Sequence, residues 1–202
     1  MTMPYRTTDR VIDYLNKQYL KLFRRAKGIA DFDELNAIDL SHEIYDEALR
    51  ITRQEATRLA DTLYKRYRTD PKNSELGVAW VLALMAAYNP VTKYIYDNEA
   101  ERKRSRFAES LVASDTPAEE VDRSLRLWVA QNKQFAEDVT FNAIIQAFED
   151  DGVAEVEWVT HPDDRRCVEC RSRHGRIYPI GDVPPKPHMR CRCYVRRVQG
   201  GK

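Results

Sequence analysis

Residues 158–170 read WVTHPDDRRCVEC, and residues 184–193 read PPKPHMRCRC. All four cysteines of this 202-residue chain lie within the 27 residues from Cys167 to Cys193. A Cys-x-x-Cys pair is followed, after a spacer of 17 residues, by a His-x-x-Cys-x-Cys group. This spacing is typical of structural zinc sites, in which two short ligand pairs from distant turns close one tetrahedron. The sequence therefore predicts a structural Zn²⁺ ion near the end of the chain.

The candidate ligands are one more than the four that a tetrahedral zinc ion takes. They are Cys167, Cys170, His188, Cys191 and Cys193. Cys167 and Cys170 supply one pair. The other pair is either His188 with one cysteine, or Cys191 with Cys193, in which case His188 lies outside the ligand shell. Because His188 and Cys191 repeat the spacing of the first pair, we favour His188 plus one cysteine. Disulfides and free thiols are the other interpretations, and disulfides need an oxidising compartment that nothing in the sequence indicates.

The same stretch resembles the C-terminal domain of phage Mu F-like minor head proteins, the phage head morphogenesis family. That family shows a Trp-x-Thr segment, an Asp and an Arg before Cys-x-x-Cys, a later Gly, and a final Pro-x-His-x-x-Cys-Arg-Cys. The resemblance runs from about Phe135 to Val195. Besides the candidate ligands, the matching residues are Trp158, Thr160, Asp163, Arg165, Gly175, Pro185 or Pro187, and Arg192.

Two departures from the family pattern concern local packing. Glu137-Asp138-Val139-Thr140 stands where the family has an Arg-Thr-Glu run, and Met189 replaces the Pro that usually follows the His. The resemblance implies a virion protein that acts in head morphogenesis with the portal protein or the major capsid protein. It further implies several copies on a ring-shaped partner, assembly in the host cytoplasm, and a final place inside the head or neck.

Charge is distributed unevenly along the chain, although the net formal charge is only +1. From His161 onward there are 11 Lys and Arg against 4 Asp and Glu, whereas the preceding residues carry 22 and 28. A basic tail on an acidic body suggests an anionic partner such as packaged DNA or an acidic protein surface. Plain solvated charge is the alternative. Because no signal peptide opens the sequence and the apolar run Val78–Tyr88 is too short for a bilayer, we expect no membrane contact.

The first 152 residues have the pattern of long helices. Helix-length blocks are separated by Gly28, Pro71, Pro90, Pro117 and Gly152. The longest amphipathic block, about 38–68, would span about 45 Å, and the block 76–88 is apolar on nearly all sides, which predicts burial in a core or a partner. We therefore predict a mostly α-helical fold, with an elongated bundle over residues 1–152. Residues 153–202 would form a small zinc-stapled module with a β-hairpin, in which Glu155–Thr160 pairs with Tyr194–Val198.

Catalysis is not expected. The available Cys and His ligands suffice to close the metal site, whereas a catalytic zinc keeps one position open beside a general base. A small His-Asp nuclease would need a His paired with a carboxylate, and His161, His174, Asp163, Asp164 and Asp182 show no such fixed spacing. A free-standing zinc protein that binds nucleic acid through the basic tail is the stronger alternative to a head protein.

Overall fold

The structure is a computed structural model that describes residues 4–29, 31–72, 75–88, 99–162 and 167–198. The helical part consists of α1 (Tyr5–Lys27), α2 (Glu34–Tyr67), α3 (Gly77–Tyr88), α4 (Glu99–Val112) and α5 (Pro117–Asp150). The C-terminal part consists of β1 (Glu155–Val159), the short helix α6 (Val168–Arg173), β2 (Ile177–Pro179), a 3₁₀ turn (Ile180–Asp182) and β3 (Tyr194–Arg197). The predicted fold class, a bundle of long helices with a small β-containing module, is confirmed.

The two longest helices, α2 and α5, contain 34 residues each, a length of about 51 Å at 1.5 Å per residue. Helix α2 begins where the side chain of Asp33 accepts a hydrogen bond from the backbone N–H of Asn36, which satisfies one of the free donors of the first turn. Helix α5 begins with Pro117, which suits a first helical position because its missing N–H would have no partner there. Helix α1 packs against both α2 and α5.

Helix α5 packs against both the helical bundle and the C-terminal module. Every residue from Gln134 to Phe141 is buried, which an amphipathic surface helix would not show. Helix α5 contacts α1 and α2 of the bundle and also contacts β3 and the 3₁₀ turn of the C-terminal module. The position of α5 thus fixes the module against the bundle.

The three strands form one antiparallel sheet in the order β2-β1-β3. Trp158 of β1 lies opposite Val195 of β3, and Val156 lies opposite Tyr178 of β2. The predicted pairing of the strand after residue 154 with the strand after residue 193 is confirmed, whereas β2 was not predicted. Val156, Trp158 and Val195 are fully buried, so this face of the sheet completes the core beside α5.

One hydrophobic core crosses the predicted boundary between residues 152 and 153. Its members come from α1, α2, α3, α5, α6, the sheet and the loop before β3, and include Ile12, Leu63, Val81, Phe148, Trp158 and Cys170. A second core joins the other end of α1, α2 and α5 to α4, around Phe23, Phe107 and Trp128. The C-terminal module therefore packs as a continuation of the bundle.

Helix α3, which is apolar on nearly all sides, is covered on one side. Val81 is fully buried, whereas Val78 is 52% exposed and Leu82 is 37% exposed. The start of α3 is held by Asp61, whose carboxylate accepts hydrogen bonds from the N–H groups of Leu76 and Gly77. In the described part of the chain, no helix combines the length and apolarity needed to cross a membrane.

Candidate metal centre

Cys167 and Cys170 are presented by the first turn of α6. Cys167 caps this short helix, and its Sγ accepts a hydrogen bond from the backbone N–H of Cys170 at 3.1 Å. A sulfur that caps a helix in this way lies on the same side as the side chain three residues later. The two-residue gap of the Cys-x-x-Cys motif therefore places both sulfurs at one point, as the sequence predicted.

The loop between the 3₁₀ turn and β3 brings the second set of ligands to the same point. The Nε2 atom of His188 lies 3.2 Å from Cys170 Sγ, and its Nδ1 lies 2.8 Å from the carbonyl oxygen of Met189. A ligand histidine commonly donates its other ring N–H to such a carbonyl, which leaves Nε2 free for a metal. Arg190 has a φ of 60°, and this left-handed residue turns the loop toward Cys191.

The separations between the ligand atoms suit a tetrahedral ion. The ligand atoms of Cys167, Cys170 and His188 all lie within 4.8 Å of one another, and so do those of Cys170, Cys191 and Cys193. Cys170 belongs to both groups, and its sulfur is 3.7 Å from that of Cys191. Two sulfurs bound to one zinc ion at 2.3 Å each lie about 3.8 Å apart. The five side chains could therefore hold a metal ion, with Cys170 common to either set of four.

Protons are shared unequally among these thiols. The hydrogen bond from Cys191 outweighs burial and lowers the pKa of Cys193 to about 5. That same bond, together with burial, raises the pKa of Cys191 far above its usual value. Burial and the neighbouring thiols raise the pKa of Cys170 to about 12. A bound cation would replace the shared protons, because metal ligation requires every coordinating sulfur to be a thiolate.

Three motif residues hold the strand and the helix of the site together. Trp158 is fully buried against Phe141, with ring centroids 5.6 Å apart, and its indole lowers the pKa of Cys193 after larger contributions from other groups. Its buried Nε1 has no hydrogen-bond partner. An ionised Cys193 sulfur beside the indole would accept a hydrogen bond from this N–H. Thr160 donates to the carbonyl of Cys170 at 2.7 Å. Gly175, at a φ of 76°, donates its N–H to the Trp158 carbonyl at 2.9 Å.

Two other motif residues, Asp163 and Arg165, lie outside the described residues, as does Asp164. His174 accepts a hydrogen bond on Nδ1 from the backbone N–H of Thr160 at 3.0 Å, so it supports the end of β1. His161 packs edge-on against Tyr5 at 5.7 Å. These contacts suit structural roles for both histidines.

Sequence reasoning missed the contribution of the helical body to this site. Arg192, between two of the cysteines, bonds Asp9 of α1. The hydroxyl of Tyr5 donates to the carbonyl of Cys193 at 2.8 Å. Both α1 residues lie more than 180 positions before their partners, and no local pattern of residues indicates such contacts.

Comparison of the chain with models of known families, with curated proteins and with solved structures gave no match.

Proposed function

We propose that this protein is a minor head protein of a tailed phage, which acts in head morphogenesis and carries a structural zinc centre. The observation that supports this function is the ordered run from Trp158 to Cys193, which resembles the phage head morphogenesis family in residue type and spacing. The gathering of its Cys and His residues into one cluster supports the zinc part of the proposal. The helical body would dock on the portal or the capsid interior, in several copies around a ring.

Zinc is the metal that best suits the donor set. Thiolates and a neutral imidazole are ligands that zinc accepts readily, and four of them close a structural site. We propose Cys167, Cys170, His188 and Cys191 as the ligands, because the Nδ1 contact orients His188 toward Cys170 and the sulfur separation of 3.7 Å fits a shared ion. Cys193 would then be an outer thiolate that accepts hydrogen bonds.

Metal analysis of four variants tests the ligand set. Protein prepared without chelator should contain about one zinc per chain. His188→Ala should bind zinc far more weakly, and Cys193→Ser should lose about 10- to 100-fold in affinity, as outer-shell changes do. Cys167→Ser and Cys191→Ser should both resemble His188→Ala. If Cys193→Ser is as severe as Cys191→Ser while His188→Ala is mild, the four-cysteine set is correct. Absence of bound metal in the wild-type protein would refute the centre altogether.

The head function is tested in the phage that produces the protein. Deletion of the gene should yield heads that are defective or non-infectious, and mass spectrometry should find the protein as a minor component of wild-type particles. Affinity purification should recover the portal or the major capsid protein with it. Normal infectious particles after deletion, together with absence of the protein from wild-type virions, would refute this function.

A zinc protein that binds nucleic acid is the second candidate, on account of the basic tail. Much of that positive charge is paired within the chain, since Arg192 bonds Asp9, Arg196 bonds Glu157 and Lys186 lies beside Asp138. The uneven charge along the sequence therefore reflects ion pairs between basic residues of the tail and acidic residues that precede it. Fewer basic side chains remain available to bind phosphate groups. Tight binding of the full chain to duplex DNA, falling steeply with salt, would favour this candidate over the head protein.

A further inference from the structure

The loop from Lys186 to Cys193, which carries three of the candidate ligands, is held by the helical body. This ligand loop contacts α1, near the start of the chain, and α5, which precedes the C-terminal module. Such contacts matter because a loop of this length, without secondary structure, cannot by itself hold ligand atoms within tenths of an ångström.

The contacts with α1 are made by Tyr5 and Asp9, one turn apart. Tyr5 is buried, and its hydroxyl donates to the carbonyl of Cys193 at 2.8 Å. The guanidinium of Arg192 lies over the Tyr5 ring at 4.6 Å, and one of its nitrogens contacts both carboxylate oxygens of Asp9 at 2.9 Å. Arg192 lies between Cys191 and Cys193, so its position fixes the backbone on which both sulfurs are carried.

The contacts with α5 hold the other half of the ligand loop. The side-chain oxygen of Gln134 accepts the backbone N–H of Arg190 at 2.5 Å, and its amide nitrogen donates to both oxygens of Asp138. The ammonium group of Lys186 donates to the carbonyl of Glu137 at 2.7 Å. Lys186 is nearly buried, with 5% of its side chain exposed, so this bond is protected from solvent.

We propose that the metal centre fastens the N-terminal helix to the C-terminal module, with Tyr5 and Asp9 as positioning residues for its ligands. The proposal rests on the metal centre proposed above. Coupling of this kind is reciprocal: if docking of α1 orders the ligand loop and so strengthens metal binding, bound metal strengthens the docking of α1 by the same factor. Tyr5 and Asp9 thus act on the metal through Cys193 and Arg192 without touching the metal themselves.

Zinc affinity of three full-length variants tests one direction of the coupling. Tyr5→Phe removes the hydrogen bond to the ligand loop and keeps the ring, and Asp9→Asn removes the ion pair. Each should weaken zinc binding by up to about tenfold in competition with a chelator, because loss of a group bonded directly to a ligand costs 10- to 100-fold and Tyr5 and Asp9 act one residue further out. Asp13→Asn changes an exposed carboxylate one turn further along α1 and should bind as the wild type does.

Hydrogen exchange of the wild-type protein tests the reverse direction and needs no variant. Removal of zinc should speed amide exchange in the first turns of α1, from Tyr5 to Leu15, while the core around Phe107 and Trp128 keeps its protection. Wild-type protein that binds zinc, with α1 exchange indifferent to the metal and with unchanged affinity in Tyr5→Phe and Asp9→Asn, would overturn the coupling alone. Wild-type protein that binds no zinc would overturn both the centre and the coupling.

Discussion

Replacement of Trp158 by alanine would remove the side chain at which the helical bundle and the C-terminal module pack together. The indole is fully buried, and its ring lies 5.6 Å from Phe141 of α5 and 6.4 Å from Tyr178 of β2. Burial of a large aromatic ring accounts for most of the expected effect, because Trp→Ala in a core costs about 3–5 kcal/mol. Each aromatic pair accounts for about 0.5–1.5 kcal/mol of stabilisation beyond area burial. For a chain of this size, the core loss of about 3–5 kcal/mol corresponds to a fall in Tm of about 6–20 °C.

Urea unfolding of zinc-saturated protein, followed by far-ultraviolet circular dichroism, measures this loss. Trp80→Ala is the matched control, because Trp80 packs at the partly buried edge of the same core and should cost about 1–2 kcal/mol. Trp158→Phe keeps the contact with Phe141 and removes the N–H beside Cys193, so it should cost about 1–2 kcal/mol and weaken zinc binding about tenfold. A smaller loss for Trp158→Ala than for Trp80→Ala would show that the two parts do not share a core at this residue.

Two further predictions concern protonation. Burial raises the pKa of Glu137 against the opposing effects of Lys186 and other cations, so this carboxyl contributes stability below the unfolded pKa of about 4.3 and loses it as pH rises through the folded pKa. Glu137→Gln should therefore be more stable relative to the wild type at pH 8 than at pH 5 in urea unfolding; an equal or larger relative stability at pH 5 would contradict this. Zinc binding at pH 7 should release at least two protons, because burial and neighbouring thiols raise the pKa values of Cys170 and Cys191 and both must become thiolates to bind. Calorimetry in buffers of different ionisation enthalpy counts them, and the absence of proton release would mean that these thiols are already ionised or do not bind.

Elements with a strong local signal were predicted correctly from the sequence. The apolar stripe of α1 includes Leu15, Tyr19 and Phe23, all of which are buried, and alternation predicted the strand at Glu155–Val159. Strand β2 was missed because three residues ending in Pro179 give no alternation. Thr8, in the first turns of α1, is buried and shares a hydrogen bond with Thr140 of α5 at 2.7 Å. That bond depends on tertiary packing, which local propensity does not report.

In the candidate site, too, the features with a local sequence signal were predicted and the features that depend on tertiary packing were not. The spacing of the two motifs predicted that Cys167 and Cys170 would lie beside the later candidate ligands, because each short motif needs a single turn to present its side chains. The supporting contacts could not be predicted, since Tyr5 and Asp9 are an ordinary tyrosine and an ordinary helical carboxylate until the fold places them beside the ligand loop. Basic residues of the tail suggested an external anion, whereas Arg197, for example, pairs with Asp151 just after α5.

The hydrogen bond from Tyr5 to Cys193 joins residues that are 188 positions apart. At about 5–20 residues per second, roughly 10–40 s of synthesis separate these two residues. Throughout that interval, the first turns of α1 lack the cover that the last strand and the ligand loop provide. The N-terminal helix can therefore reach its final packing only when the cysteine-rich segment has left the ribosome, so a shortened translation product would keep a tyrosine-bearing apolar surface open to chaperones and proteases.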